Sequence, residues 1–216
     1  MALQLRNIVA TGKNYRKHIL EMGHPIPEAP SFFQKPTSSF LEDGGVIILP
    51  PESKRVDHEV ELVIFIGKRG HRLPVRDALS IVSGYGVGVD VSARDIQIAD
   101  MKQMNPWFVS KGFDTFSPIS RMKPVKDLGK VNPDDARLWL SVNGKVRQDN
   151  RTSDMIWNCS ELVSRISQFM TLDEGDVIFT GTPEGVGPMV DGDKVECAVD
   201  GIGTLKLSCQ AEKLPG

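Results

Sequence analysis

The run DHEVELVIFIG (residues 57–67) sets two carboxylates, Glu59 and Glu61, two positions apart at the entrance to an uninterrupted apolar stretch. Side chains alternate faces along a strand, so Glu59, Glu61, Val63 and Phe65 share one face and His58, Val60, Leu62 and Ile64 share the other. Like charges so placed repel, and burying an unpaired carboxylate is costly. A hard divalent cation removes both penalties, because it takes several oxygen ligands and carries the opposite charge. A third carboxylate, Asp90, ends the Gly-rich apolar run GYGVGVD, where Gly86 and Gly88 on its strand face are expected to leave room above the sheet. Two Glu and one Asp make an all-oxygen donor set suited to Mg2+ or Mn2+ rather than zinc. The competing reading is that Glu59 and Glu61 face solvent at a strand entry and that Asp90 caps a turn.

His18 and Glu21 lie three apart in NYRKHILEM and share a face if that stretch is helical. A carboxylate beside an imidazole orients the ring and raises its basicity, which suits a base that takes a proton from water near neutral pH. The alternative is an ordinary surface pair. Lys111, at the end of PWFVSK, either snorkels to the surface or stabilises an enolate forming beside a metal. Lys35 in FFQKP offers the same two readings. Gln97 either donates to a substrate oxygen or lies on plain helix surface, and Arg94 and Asp95 read as a structural ion pair near the metal. GTPEGVG lacks the Gly-Lys-Ser/Thr ending of a phosphate loop. Its glycines still let backbone N–H groups converge on a small anion such as a carboxylate, and Thr182 adds a hydroxyl. A tight turn without a ligand is the alternative. Met101, Met104 and Trp107 read as packing residues near the cleft.

These residues need a scaffold. Short β-branched runs between Gly and Pro favour a strand-rich fold over a helix bundle. The expected strands are 7–12, 45–50, 60–67, 82–92, 136–144, 176–181, 194–199 and 203–209. The expected helices are 14–22, 74–81, 94–103 and 160–170, the second opening on Pro74 and the last capped by Ser160. Residues 24–44 carry Pro25, Pro27, Pro30 and Pro36 and read as a long surface loop, and 120–135 reads as an irregular connection.

The chain of 216 residues fits one domain, and a net charge of −2 with both signs interspersed gives no basic footprint for nucleic acid. No stretch is apolar enough to span a bilayer, so no membrane partner is expected. The opening MALQLRNIVATGKNY lacks the features of a secretory signal. Cys159, Cys197 and Cys209 match no zinc or disulfide spacing. A reducing, intracellular setting is expected, cytoplasmic or mitochondrial, with no targeting segment recognised.

DHEVELVIFIG followed by GVDVSARDIQ resembles the metal-binding core of the fumarylacetoacetate hydrolase family. The likeness extends over GKNYRKHILEM, FFQKPTSSF, PWFVSKGFDTFSPIS, LSVNGKVRQ and GDVIFTGTPEGVG, nearly the whole chain. It is nearest to the short members that act as acylpyruvate hydrolases and oxaloacetate decarboxylases. The resemblance implies an α+β, strand-rich fold, a mixed β-sheet roll with a short N-terminal helical lid. It implies one catalytic domain over 1–216 with 13–44 as lid and loop, a Mg2+ or Mn2+ cofactor, a small α-keto acid substrate and a homodimer. It further implies Glu59, Glu61 and Asp90 as ligands, His18 and Glu21 as a catalytic pair on the lid, and Lys111 as a cation beside the metal. Lys13, Lys35, Gln97 and Thr182 complete the expected substrate-binding set. Lys13 stands where the family often has Arg, and offers a point charge in place of a planar fork. Other activities within the resemblance are fumarylpyruvate hydrolysis and keto–enol tautomerisation. A non-catalytic metal-stabilised binding module is the alternative of another class, against which an intact His18 and Glu21 argue.

Overall fold

A computed structural model describes residues 5–23 and 25–213. Residues 1–4 of the opening stretch and residue 24 of the expected lid lie outside that description. With elements numbered in chain order, a six-stranded sheet runs β10 (Lys123–Pro124), β7 (Val82–Val89), β6 (Val60–Ile66), β13 (Val177–Phe179), β1 (Ile8–Gly12), β2 (Ser31–Lys35). Only β1 and β13 pair in parallel there. A five-stranded sheet runs β12 (Lys145–Arg151), β11 (Arg137–Val142), β15 (Lys194–Val199), β16 (Gly203–Ala211), β4 (Val46–Leu49). Two small sheets join β14 (Gly187–Met189), β5 (Val56–His58) and β8 (Ser92–Ala93), and β3 (Phe40–Leu41) and β9 (Ser117–Pro118). The helices are α1 (Arg16–Glu21), α2 (Val75–Ala78), α3 (Arg94–Gln103), α4 (Phe108–Lys111) and α5 (Cys159–Ser167). The strand-rich, mixed-sheet α+β fold is the one expected.

β6 is buried along its whole length because apolar layers cover both its faces. Leu62 and Ile64 enter the larger core with Val87, Leu138, Leu140, Val195 and Leu205, where the two main sheets pack. Val63 and Phe65 enter a smaller cluster with Ile8, Ala10, Ile119, Val177 and Phe179. The alternation read from residues 58–65 therefore holds. The carboxylates continue the face of the smaller cluster, past its edge.

Several expectations need correction. Residues 24–44 are not one loop: β2 pairs antiparallel with β1, and β3 pairs with β9. Any lid must be confined to α1 and the segment before β2. The strand expected over 82–92 breaks at Asp90, whose N–H donates to the Glu59 carbonyl at 2.8 Å. Gly86 and Gly88 do not open room for the site. A Cβ on Gly88 would lie 2.7 Å from Val63 and 2.6 Å from the Phe179 ring, so the space belongs to the core. The apolar strand over 203–209 shows no obvious partner when read from sequence alone and so points to a dimer, but β16 has neighbours on both sides, β15 and β4, and is no exposed edge.

The helix expected over 160–170 begins at Cys159, and its cap is Asn158, not Ser160. Asn158 accepts from the Glu161 N–H at 3.0 Å while Glu161 accepts from the Asn158 N–H at 2.9 Å, a capping box. Asn158→Ala is expected to lower stability by about 1 kcal/mol. A urea midpoint that does not move would disprove the cap's contribution.

Candidate metal centre and cleft

Glu59 occupies the one-residue gap between β5 and β6, Glu61 is the second residue of β6, and Asp90 follows the last residue of β7. Antiparallel pairing of Val60 with Val89 brings the strand ends together. One carboxylate oxygen from each of the three lies within 4.8 Å of the others, and all three residues are buried. Oxygens around a six-coordinate ion at about 2.1 Å stand roughly 3 to 4 Å apart, so the trio fits a hard divalent cation after small shifts.

The surrounding charges support that fit. Lys111 donates to Glu59 Oε2 at 2.9 Å and to Asp90 Oδ2 at 2.6 Å. Arg94 reaches Glu59 and Asp57, and Lys35 reaches Asp90. Four buried carboxylates (Asp57, Glu59, Glu61, Asp90) thus face three buried cations (Lys35, Arg94, Lys111), with Arg55 touching Asp57 from the surface. Among the described residues, Glu61 pairs with no cation and accepts only the Gly181 N–H, at 2.6 Å. Burial, then the charges of Asp90 and Glu59, push the Glu61 carboxyl well above its ordinary pKa. Burial acts the same way on Glu59, but Lys111 and Arg94 outweigh it and hold that carboxyl below its usual range. For Lys111, burial is overcome by Asp90 and Glu59, which raise the ammonium above its usual value. The missing positive charge falls beside Glu61, where an ion shared with Glu59 and Asp90 would supply it.

A cleft of about 530 Å³, counted to its open mouth, rises over this cluster. Its polar lining includes Glu59, Glu61, Asp90, Arg94, Gln97, Lys111, Lys13, His18 and Thr182, and its apolar wall includes Ile19, Met22, Phe33, Met101 and Trp107. His18 enters on α1 with its side chain 12% exposed, and its Nδ1 stands 3.6 Å from Glu21 Oε2, too far for a direct hydrogen bond. Burial, and then Arg94 against the pull of Glu59, holds His18 below the usual imidazole value, so the ring is neutral near pH 7. Glu21 also accepts from the Gly185 N–H at 3.2 Å, which ties α1 to the 181–187 loop. Asn14 anchors the start of α1, exchanging hydrogen bonds with the backbone of Trp157 and donating to Thr180. Just before it, Lys13 sits at the cleft with φ 59, in the left-handed region.

The other expected residues distribute as follows. Gln97 is buried, lines the cleft and accepts from Arg94 through Oε1, which leaves its Nε2 donors unused by Arg94. Thr182 lines the cleft, but its hydroxyl donates to the Val60 carbonyl at 2.9 Å and accepts from Gln148 at 2.8 Å. Lys35 does not line the cleft. Its ammonium lies behind Asp90 and also donates to the Phe116 carbonyl at 2.8 Å. Arg94 and Asp95 do not pair: Asp95 accepts from Ser53 and the Lys54 N–H. The glycine-loop amides do converge on carboxylates, but on the protein's own Glu61 and Glu21. Met101 and Trp107 line the cleft as expected, whereas Met104 is 93% exposed and packs on nothing there.

Sequence reading missed Asp57, Phe33 and Gln148. Asp57 had a signal, since it precedes Glu59 by two and falls on the same strand face. Phe33 lies on β2, mistaken for loop, and its ring centroid is 5.3 Å from the Lys111 ammonium. The three cysteines are free and buried. No helix among the described residues is long and apolar enough to cross a membrane.

Strands bring three buried carboxylates together under a His–Glu helix, an all-oxygen donor set of the kind that suits a divalent cation. The chain belongs to the fumarylacetoacetate hydrolase family: the model of the fumarylacetoacetate (FAA) hydrolase C-terminal region matches residues 7–209. It is 46% identical over 203 residues to the mitochondrial oxaloacetate decarboxylase of Dictyostelium discoideum, across 92% of this chain and 91% of that protein. It is 42% identical over 218 residues to a mitochondrial oxaloacetate tautomerase of Arabidopsis thaliana, across 100% of this chain and 96% of that one. Among solved structures, fumarylpyruvate hydrolase from Pseudomonas aeruginosa in complex with Mn2+ and pyruvate superposes with a TM-score of 0.92 at 36% identity, covering 96% of this chain and 91% of that one.

Proposed function

We propose that this chain is a Mg2+- or Mn2+-dependent enzyme that hydrolyses 3-acylpyruvates to pyruvate and a carboxylate, and that the same site decarboxylates oxaloacetate. The observation that carries the reading is the single cleft holding the Glu59–Glu61–Asp90 trio, the Lys111 ammonium and the largely buried His18 imidazole. Relatives named as an oxaloacetate decarboxylase and a fumarylpyruvate hydrolase support it.

Glu59, Glu61 and Asp90 would hold the ion, which when bound supplies a Lewis acid for a 2-oxo acid. The protein's own groups do the rest. Breaking the bond between C3 and the departing acyl or carboxylate carbon C4, one bond beyond the keto carbon, leaves its electron pair as the enolate of pyruvate, which then takes up a proton, and Lys111 is placed to stabilise the enolate's negative charge. Gln97 Nε2 offers a hydrogen bond to a substrate oxygen. The apolar wall of Phe33, Met101 and Trp107 receives the acyl group and keeps bulk water away from it. When the departing group is an acyl carbon, water must first attack it, and His18, oriented by Glu21, takes the proton from that water. When carbon dioxide departs, no nucleophile is needed.

The test is pyruvate release from acetylpyruvate and carbon dioxide release from oxaloacetate by metal-stripped protein, before and after adding Mg2+ or Mn2+. Both activities are expected only with the ion. Full activity after exhaustive chelation would refute the site assignment. A second reading, keto–enol tautomerisation of a 2-oxo acid, is favoured by the tautomerase name of a relative. Enol–keto interconversion without pyruvate or carbon dioxide release would select it.

We also propose a homodimer. Phe108 (59% exposed), Val109 (55% exposed) and the edge strand β2 leave an apolar face uncovered in the single chain. Light scattering at micromolar concentration is expected to give twice the chain mass of 23.8 kDa, and a monomer mass would refute this.

A further inference from the structure

Gln148 is the one buried residue of β12, a strand at the edge of the five-stranded sheet. A bulge delivers it there. Leu140 faces Gln148 while Ser141 faces Val146, so Arg147 is the extra residue that re-aims the next side chain. Gly185 packs on the Arg147 carbonyl with φ +89, at a place where any Cβ would overlap that oxygen.

The amide of Gln148 spends all its capacity on the segments that carry the site. Oε1 accepts from the Val60 N–H at 3.0 Å and lies 3.0 Å from His58 Nδ1. Nε2 donates to the Pro183 carbonyl at 3.0 Å and to Thr182 Oγ1 at 2.8 Å. Val60 N–H can only donate and Pro183 C=O can only accept, so the amide has one orientation. The same logic places the His58 proton on Nδ1. Thr182 in turn donates to the Val60 carbonyl.

Val60 lies between Glu59 and Glu61. Both of its backbone polar groups are therefore engaged by one network, whose source is the other sheet. Two carboxylates two residues apart repel and would splay if the backbone between them yielded. We infer that Gln148 is a positioning residue of the metal centre: through Val60 and Thr182 it fixes the spacing of the Glu59 and Glu61 carboxylates before an ion arrives. The inference rests on the metal reading proposed above.

The test uses the full chain, stripped of metal, with Mn2+ alone as probe and its dissociation constant read from the electron paramagnetic resonance signal of free Mn2+. Gln148→Met keeps length and packing but removes every hydrogen bond. Thr182→Val removes the hydroxyl and Thr182→Ser retains it. Gln148→Met and Thr182→Val are expected to weaken Mn2+ binding about 10- to 100-fold, with Thr182→Ser restoring it, as for partners that orient metal ligands. Leu205→Ala, in the core of the same sheet, is expected to melt lower and bind Mn2+ as wild type does. Wild-type affinity in both Gln148→Met and Thr182→Val, with a lower melting temperature alone, would reduce the network to a structural role and overturn the inference. If Gln148→Met does not fold, the Thr182 pair decides. Wild-type protein that binds no Mn2+ would instead overturn the metal centre, and the inference with it.

Discussion

Glu59→Gln and Glu61→Gln are expected to act on folding in opposite directions while both disable the site. Glu59 is enclosed by Lys111 and Arg94, so neutralising it takes one of two carboxylates from each buried cation, leaving Lys111 with Asp90 and Arg94 with Asp57. Removing one partner of a buried ion pair costs about 3–5 kcal/mol. Among the described residues Glu61 pairs with no cation, and it is buried against two other carboxylates. A Gln there keeps an oxygen for the Gly181 N–H and loses the repulsion. Metal-free Glu61→Gln should therefore melt above wild type, and metal-free Glu59→Gln below it. Added Mn2+ should lift wild type above both variants. An ion that binds only the folded chain stabilises it by about 2.7 kcal/mol at 100 times its dissociation constant. Neither variant should collect that gain, and hydrolysis should fall more than the roughly 10- to 100-fold that losing an outer partner costs. Paired thermal melts with and without Mn2+ read all of this at once. Metal-free Glu61→Gln melting below wild type would mean that its carboxylate is already compensated, and Mn2+ stabilising that variant as it does wild type would remove Glu61 from the ligand set.

That contrast shows where sequence reading reached its limit. The period of two along residues 58–65 places Glu59 and Glu61 together, and it holds because apolar layers cover both faces of β6. Alternation says nothing of which carboxylate meets a cation. That depends on Lys111 from α4 and Arg94 from α3, brought in 52 and 35 residues along the chain from Glu59. Lys35 shows the same limit. Its sequence context offered a surface role or a site role, and it took a third, a buried support behind Asp90.

The missed strand has a different cause. SFFQK lies among prolines, and its exposed, half-buried and buried positions follow the needs of a sheet edge, so no clean period marks it. Gln148 was unreadable for a third reason. KVRQDNR is polar and none of the expected strands covers it, and within the strand that forms, β12, a bulge breaks the alternation that would assign a face to Gln148. The glycines of GYGVGVD misled in the opposite sense. Their smallness was real, but Phe179, Val63 and Phe65 use the space. Local pattern was sufficient where a segment is packed by its own periodicity, and insufficient where a side chain crosses between sheets.

His18→Ala is expected to separate the two proposed reactions. Hydrolysis needs an activated water, and burial keeps His18 neutral and able to take a proton near pH 7. Its loss should cost acetylpyruvate hydrolysis about 10²–10⁴-fold, the usual worth of a general base. Oxaloacetate decarboxylation needs the ion and Lys111 but no base, so its rate should fall far less. Glu21→Gln should follow the same pattern more mildly, because Glu21 acts on the ring from 3.6 Å and also holds the Gly185 N–H. Lys111→Ala should instead damage both reactions together, since both build negative charge on the same enolate. The informative quantity is the ratio of the two rates in each variant with Mn2+ saturating, which cancels losses of folded protein or bound ion. Equal losses in His18→Ala would mean that His18 acts on the shared enolate or only holds α1 in place. The water-activating role would then have to be given up, while the Glu59–Glu61–Asp90 centre, which depends on none of these proton transfers, would stand.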